Sequence, residues 1–346
     1  MNTNEKARGC DLAVSSGLNA DMDASCISCQ FDSTMLSEQI QGVESEIIHK
    51  FDTRKKASLL LSDVYADLGL TSRALRVSNC GSFLAFAVSS DSHRLILANF
   101  CKDRLCPMCN WRRSLKIFGQ VSQVMNELQK NGDLDFLFLT LTVRNCSVDD
   151  LTATVKTVFD GWRRFYNIWL RRYKRGSVLG SFRSFEMTFN HSTGEYHPHL
   201  HVILAVPKSY FVNPDLYITQ AEWAEIWADS CDLDYTPIVH IEKVKPDKNG
   251  SLAGAVAEVA KYAVKESDLL AGDFSSVSDR VAAFLAGLSR RRLCDFTGCF
   301  RKVRQQLQLD DIETGDLVFI DDSLRSDVVQ AIVRYSWRCG VYVRLD

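Results

Sequence analysis

The chain has 346 residues, 46% hydrophobic and 24% charged, with a net charge of −2. This composition predicts a globular protein of about two domains. The first residues carry no signal-peptide pattern, and no apolar stretch is long enough to cross a bilayer. We therefore expect a protein that is neither secreted nor membrane-spanning. Twelve cysteines without a secretion signal indicate a reducing, cytoplasmic location, and metal binding before disulfides.

The amino-terminal part of the chain carries little chemical information. Residues 1–35 are rich in Ser, Asn, Asp and Gly and lack apolar periodicity, which predicts disorder. From Met35 to Leu68 the apolar residues recur at helical spacing, so a helical segment is expected there.

Four cysteines predict a structural zinc site. Cys101, Cys106 and Cys109 have the spacing of a tight zinc knuckle, and Cys80 lies upstream of an apolar segment, residues 83–97, that could form a hairpin. Four thiolates would make a closed tetrahedral site. The alternative is a set of buried free cysteines, but the spacing favours zinc.

Two groups of cations are candidates for DNA binding. The first follows the cysteines on a predicted helix and comprises Trp111, Arg112, Arg113 and Lys116. The second lies in the later half of a helix predicted from an N-cap at Ser147 to about Lys174, and comprises Arg163, Arg164, Arg171 and Arg172. An aromatic residue among cations suits a DNA backbone, although each group could also be a solvated helix face.

A short strand rich in histidine follows, at residues 196–204. Side chains alternate along a strand, so His197, His199 and His201 point to one face while the apolar residues between them face the core. The three are among only seven histidines in the chain. This register favours a divalent metal site over a merely solvated polar face, with His197 as the least secure of the three candidate ligands.

The preceding segment supplies a carboxylate. Residues 184–189 also alternate, and the polar loop 190–195 contains a glycine, which predicts a hairpin. If the loop is centred between Ser192 and Thr193, Glu186 lies opposite His199 and diagonal to His201, within reach of one ion. Two imidazoles and a carboxylate leave coordination positions free, and mixed oxygen and nitrogen ligands favour Mn²⁺ or Mg²⁺.

A second chemical element is the helix predicted from about Ser251 to Ser267. It carries Glu258, Tyr262 and Lys265 on one face. Taken alone, this pattern is that of a packed tyrosine between solvated charges. Beside a metal site the same pattern indicates phosphodiester chemistry. The tyrosine, aided by Lys265 and metal, could attack DNA to leave a 5′-phosphotyrosine and a free 3′-hydroxyl. Glu258 could activate water for a hydrolytic cut.

Three segments, taken in chain order, resemble the three motifs of rolling-circle replication initiators. They read FLTLT at 138–142, HPHLH at 197–201 and EVAKYAVK at 258–265. With them the chain resembles plasmid Rep proteins of the HUH endonuclease superfamily, in the group whose third motif has a glutamate four residues before a single tyrosine. The cysteine cluster and the segment 298–317 are similar to that group as well, so the resemblance covers roughly residues 75–320.

The resemblance implies an α+β fold of the HUH endonuclease type, with a central antiparallel five-stranded sheet, flanking helices and a Cys-rich zinc-binding element. It implies Mn²⁺- or Mg²⁺-dependent nicking at a plasmid double-strand origin, with His199 and His201 as ligands, Tyr262 as nucleophile and Glu258 in termination. The partners expected are origin DNA in single-stranded or hairpin form, and the host helicase, DNA polymerase and single-strand binding protein. The predicted segments are 1–35, disordered; 36–75, helical; 76–130, the Cys-rich element and basic helix; 131–320, the nicking and joining domain; and 321–346, a C-terminal extension.

Two other classes of function compete with this interpretation. A single-tyrosine HUH transposase or a relaxase shares the chemistry, but relaxases place the tyrosine before the histidines, and transposases of this type are usually shorter and lack the cysteine cluster. A DNA-binding repressor on the same fold, without catalysis, would need neither the nucleophile, the metal ligands nor the lysine.

Overall fold

The computed structural model describes residues 38–89, 93–130, 132–246, 248, 252–261, 263–320 and 331–345. From Ser45 onward the chain forms one compact unit. The disorder predicted for residues 1–35 and the predicted nucleophile Tyr262 lie outside the described residues. Among the helices that are described, none has the length and apolarity needed to span a membrane.

Helices and strands are both abundant, which confirms the α+β class. The helices are α1 (Glu38–Asp67), α2 (Thr71–Ser78), α3 (Pro107–Gln129), α4 (Val148–Arg164), α5 (Gln220–Cys231), α6 (Ala253–Val259), α7 (Glu266–Leu270), α8 (Phe274–Leu288) and α9 (Gly298–Gln306). The strands are β1 (Phe83–Val88), β2 (His93–Ala98), β3 (Leu134–Thr142), β4 (Gly180–Asn190), β5 (Glu195–Pro207), β6 (Val239–Lys243), β7 (Cys294–Thr297), β8 (Ala331–Arg338) and β9 (Val341–Leu345). A π-helical stretch, Phe165–Tyr173, continues α4.

The larger sheet has five antiparallel strands in the order β6-β3-β5-β4-β7. Its middle strand β5 carries the histidines and is buried along most of its length, because strands cover both of its edges. On one side of β5, Glu186 of β4 lies opposite His199. On the other side, Thr142 and Thr140 of β3 lie opposite His199 and His201. The predicted hairpin and its register are therefore confirmed.

One face of this sheet is apolar, and the other combines polar residues with buried apolar ones such as Phe182 and Ile203. On the apolar face, the ring of Phe185 in β4 lies 5.0 Å from that of Phe159 in α4, and Tyr196 of β5 lies 5.6 Å from Phe284 of α8. Helix α4 begins where the sequence predicts, with the Ser147 side chain accepting a hydrogen bond from a first-turn amide. Because side chains alternate, the opposite face carries the histidines and the glutamate of the predicted metal site.

A second sheet, which the sequence did not predict, contains four strands in the order β2-β1-β8-β9. Strands β1 and β2 form the hairpin expected within residues 83–97. The other edge of β1 pairs with β8, and β8 pairs with β9. This sheet joins the C-terminal extension to the Cys-rich segment, since pairing covers a strand edge that would otherwise be exposed.

The single helix predicted over residues 251–267 is wrong, because the chain forms α6 and α7, and the described residues between them, 260–261 and 263–265, are not helical. In that segment Ala263 forms a β-bridge with Glu186, and its carbonyl accepts a hydrogen bond of 2.8 Å from the amide of Met187. The alanine-rich sequence favours continued helix. However, β7 pairs with β4 only over Ser181–Ser184, so the backbone groups farther along that edge of β4 need other hydrogen-bond partners. The backbone of Ala263 supplies one of them.

Candidate active site

Three acceptor atoms converge on the polar face of the larger sheet. The Nε2 atoms of His199 and His201 lie 3.1 Å apart, and they are 3.3 Å and 3.0 Å from Oε2 of Glu186. All three side chains are buried. His197 is not part of this cluster; its Nδ1 lies 2.7 Å from the side-chain oxygen of Asn145.

The second ring nitrogen of each histidine already has a partner. Nδ1 of His199 lies 3.0 Å from the carbonyl oxygen of His197 and must carry the proton, since a carbonyl can only accept. Nδ1 of His201 lies 3.3 Å from the Thr140 hydroxyl, and the ring stacks on Phe138. These contacts orient Nε2 of each ring toward the cluster, as is typical of metal-ligating histidines.

The donor set fits a divalent cation. A neutral imidazole with its proton on Nδ1 offers a lone pair at Nε2, so the cluster brings acceptors together in a buried place, which is unfavourable without a cation. Oε1 of Glu186 makes no hydrogen bond with the described residues, although the Lys265 ammonium forms an ion pair with it at 3.3 Å. Burial by itself raises the pKa of Glu186, but the contacts with the rings of His199 and His201 and the charge of Lys265 outweigh it and hold the pKa well below its ordinary value. Two imidazoles and an ionised carboxylate are suitable ligands for Mn²⁺ or Mg²⁺.

An open cavity of about 600 Å³ adjoins the cluster and includes His197, Lys265, Asn145 and Phe189 in its lining. Burial, followed by the charge of His199, lowers the pKa of His197 to about 4. Its imidazole is therefore neutral at pH 7. The cavity has the size of a small-ligand pocket. It adjoins the cluster through Lys265, which pairs with Glu186, and through His197, whose ring lies 4.9 Å from that of His199.

Glu258 and Lys265, two of the predicted residues of the second chemical element, are not on one helix face, because Glu258 lies on α6 and Lys265 directly precedes α7. Lys265 reaches Glu186 because the neighbouring backbone at Ala263 pairs with β4. Glu258 lies near the end of α6, where its exposed carboxylate forms an ion pair with Lys261, and no described contact joins it to the histidines. Tyr262 lies outside the described residues, so its role stays a prediction.

The four predicted zinc ligands lie together. The sulfur of Cys109 is 3.5 Å from that of Cys80 and 3.6 Å from that of Cys101, and no two of the four sulfurs are more than 4.8 Å apart. All four are free thiols. A zinc–sulfur bond of about 2.3 Å places the sulfurs of a tetrahedral site roughly 3.8 Å apart, so the spacing fits zinc. Cys106 completes the group.

Several groups around the cysteines were not predicted. In the zinc loop (residues 101–109), backbone amides donate hydrogen bonds to the sulfurs of Cys80, Cys101 and Cys109. From α1, Ser58 places its hydroxyl 3.4 Å from the sulfur of Cys106, and buried Lys55 donates to the Cys80 carbonyl at 2.9 Å. Helix α1 is remote in sequence, so no local pattern could have identified these contacts.

The first group of cations predicted to bind DNA is instead structural, and the prediction is corrected. Arg112, Arg113 and Lys116 are 7%, 1% and 1% exposed. Arg112 donates to the carbonyl of Leu317 at 2.9 Å, Arg113 to carbonyls of the zinc loop, and Lys116 to the carboxylate of Asp310 at 2.8 Å. Buried cations need such partners, and here they attach the chain around residues 310–318 to α3. Trp111 likewise packs its ring on α1.

The second group of cations stays a DNA-binding prediction. Its members are Arg163, Arg164, Arg171 and Arg172, at the end of α4 and on its π-helical continuation. Arg163 is exposed and pairs with Asp160, and Arg164 pairs with Asp232 at 3.2 Å. Because α4 packs on the apolar face of the sheet, these cations lie on the other side of the sheet from the histidines.

Comparison with known proteins gives consistent matches. A family model described as "Replication protein" matches residues 92–343. The chain is 41% identical over 274 residues to "Protein rep" of Streptococcus pneumoniae serotype 2, covering 78% of this chain and 83% of that protein. It is 38% identical to "Protein rep" of Bacillus amyloliquefaciens, covering 72% and 77%, and 37% identical to "Protein rep" of Lactiplantibacillus plantarum, covering 72% and 80%. No solved structure matches the chain.

Proposed function

The chain belongs to the replication protein family, as its resemblance to plasmid rolling-circle initiators predicted, and from that premise we propose that it is a metal-dependent DNA nicking and joining enzyme of the HUH endonuclease type. The observation that carries the proposal is the buried cluster of Glu186, His199 and His201 on one face of an antiparallel sheet. The substrate proposed is the plasmid double-strand origin, presented as a single strand or hairpin at the nick.

Glu186, His199 and His201 would hold Mn²⁺ or Mg²⁺, with His197 near the substrate but outside the ligand set. When bound, the cation polarises a non-bridging oxygen of the scissile phosphodiester. The ammonium of Lys265, paired with the outer oxygen of Glu186, adds a positive charge at the same place. Positive charge near a tyrosine favours its phenolate form, which is the attacking species.

Tyr262 is the proposed nucleophile. Its oxygen forms a bond to phosphorus while the bond between phosphorus and the 3′-oxygen breaks. The tyrosine loses its proton, and the departing 3′-oxygen gains one. The products are a 5′-phosphotyrosine and a 3′-hydroxyl that primes synthesis by the host polymerase, behind the host helicase and with single-strand binding protein on the displaced strand. Because the phosphodiester energy is conserved, reversal of the step joins strands without ATP.

Glu258 is proposed to end a round by activating water for a hydrolytic cut. Its carboxylate would first have to leave the ion pair with Lys261. Both side chains are about half exposed, and exposed ion pairs contribute only about 0–1 kcal/mol, so this separation costs little. The water-mediated cut would leave a free 3′-hydroxyl, whose attack on the phosphotyrosine would join the strand and release Tyr262 with its proton restored. A second tyrosine transfer would instead keep the enzyme attached.

The cysteine cluster is proposed to hold one structural Zn²⁺. Cys80, Cys101, Cys106 and Cys109 come from the end of α2, the zinc loop and the start of α3, so one ion would fix these segments together. Arg163, Arg164, Arg171 and Arg172 are the proposed contacts to the DNA backbone outside the nick. A transposase or relaxase activity and a silent repressor are the competing functions.

The proposal is tested by strand cleavage of single-stranded oligonucleotides that tile the replicon encoding the chain, with Mn²⁺, scored for a covalent protein–DNA adduct. We expect the wild-type adduct to be lost in His199→Ala and retained in His240→Ala. His240 is a matched control because it lies on the same face of the sheet, in β6, and is exposed. A repressor would show binding and no cleavage. Cleavage by His199→Ala in the presence of chelator would contradict the metal assignment.

A further inference from the structure

A second cavity, of about 290 Å³, lies between α2, the zinc loop and the C-terminal end of α8. Its lining is strongly basic. The cationic residues that line it are Arg73, Arg76, Lys102, Arg104 and Arg290. Among the described residues of the lining, Asp103 is the one carboxylate.

Two of these cations are neutralised within the protein. Arg73 pairs with Asp103 at 2.8 Å, and Arg104 pairs with Glu313 at 3.3 Å. Asp103 itself is fully engaged, because its other oxygen accepts a hydrogen bond of 2.9 Å from the hydroxyl of buried Tyr65. No carboxylate of the lining is therefore left for the remaining cations.

Three positive charges remain without a compensating carboxylate. Lys102 donates to a backbone carbonyl at 3.2 Å, and Arg76 and Arg290 are exposed and form no ion pair with the described residues. Like charges around one cavity repel each other, and the cavity walls focus their field. Such clustering is not a consequence of a generally basic surface, since the chain as a whole carries a net charge of −2. The cavity therefore has the charge of an anion site, and guanidinium groups with an ammonium are the groups that recognise phosphate.

We propose that the cavity between Arg76, Lys102 and Arg290 binds a backbone phosphate of double-stranded DNA at a distance from the nick. The identity of the ligand as DNA rests on the proposed function. The location supports a separate contact: Phe284 of α8 lines this cavity and packs on the face of the sheet opposite the histidines. A strand end bound at the metal ligands would not fill it, whereas the stem of an origin hairpin or flanking duplex is large enough to contact both regions.

The test measures binding of a fluorescent duplex of about 30 base pairs and arbitrary sequence, because phosphate contacts are independent of sequence. Anisotropy titrations at several salt concentrations, without added Mn²⁺ or Mg²⁺, compare the wild type with Arg76→Ala/Arg290→Ala. Lys50→Ala/Lys130→Ala is the matched control: it removes the same charge from two exposed lysines, one on α1 and one directly after α3. Thermal melts establish that each variant is folded.

We expect the cavity variant to bind the duplex about tenfold more weakly, and its plot of log affinity against log salt to be shallower by about 0.9 for each phosphate that the variant no longer neutralises. The control variant should keep the wild-type slope. Nicking of a single-stranded origin oligonucleotide should not change in the cavity variant. An unchanged slope and affinity would overturn the proposal, and so would a loss of single-strand nicking, which would place the cavity within the nick site.

The same phosphate chemistry could come from a small molecule, so calorimetric titration with inorganic phosphate and ATP forms a separate arm. Binding of either compound that the cavity variant loses, together with unchanged duplex binding, would assign the cavity to a soluble phosphate compound and overturn the DNA assignment. A wild-type protein that shows the salt-dependent duplex contact but never nicks DNA would instead contradict the proposed function and leave this inference standing.

Discussion

Glu186→Gln should abolish stabilisation of the protein by Mn²⁺ while leaving the metal-free fold intact. Glutamine has the shape of glutamate, and its amide can donate a hydrogen bond to Nε2 of His199 or His201, where the carboxylate can only accept. The substitution also leaves Lys265 without its partner. Since the Lys265 side chain is 50% exposed, water can solvate it, and the cost is about 0–1 kcal/mol.

The expected size of the effect follows from mass action. A ligand that binds only the folded state at 100 times its Kd adds about 2.7 kcal/mol to the free energy of unfolding. The unfolding entropy of a 346-residue chain is about 0.7 kcal/mol/K, so one kcal/mol corresponds to roughly 1.4 °C in Tm. Mn²⁺ at 100 times its Kd should therefore raise the wild-type Tm by about 4 °C. If loss of the carboxylate weakens binding about 100-fold, the same Mn²⁺ concentration adds only about 0.4 kcal/mol, a shift of less than about 1 °C.

The assay is calorimetry or dye-based melting of zinc-loaded protein across a Mn²⁺ titration. Glu242→Gln is the matched control, because Glu242 lies on the same face of the sheet, opposite Phe138, and is exposed. It should keep the wild-type shift. The reasoning is refuted if Glu186→Gln retains the full shift, or if wild-type protein shows none at Mn²⁺ concentrations that support nicking.

Four further outcomes are expected. Cys106→Ser should reduce bound zinc from one ion per chain to none by elemental analysis and lower the Tm, whereas Cys146→Ser, outside the cluster, should keep the zinc. Tyr262→Phe should lose the covalent adduct on denaturing gels, and a persisting adduct would identify another nucleophile. Glu258→Gln should form the adduct normally but give replication products longer than one unit; unit-length products would remove its role in termination. Lys116→Met should lower the free energy of unfolding by about 1–3 kcal/mol in denaturant titrations, without changing the salt dependence of DNA binding.

The sequence by itself determined the local parts of the site. Alternating side chains and a short polar loop were sufficient to predict the β4–β5 hairpin and the pairing of Glu186 with His199, because a hairpin's register depends on neighbouring residues. The spacing of Cys101, Cys106 and Cys109 predicted a metal-binding knuckle for the same reason, and Cys80 was within reach through one hairpin. The N-cap at Ser147 also depends only on the first turn of its helix.

Only the tertiary structure decided the remaining features, because they depend on contacts between distant segments. The helix predicted through Lys265 is interrupted since Ala263 pairs with the edge of β4, and this pairing brings the lysine to Glu186. Arg112 and Lys116 resemble a DNA-binding surface in sequence. In the structure both are buried, and they donate to a carbonyl and a carboxylate that lie about two hundred residues away in the chain. Local sequence preferences cannot predict either effect. The hydrogen bonds to a strand edge, or to a buried charge, contribute free energy only once the two distant segments are packed together.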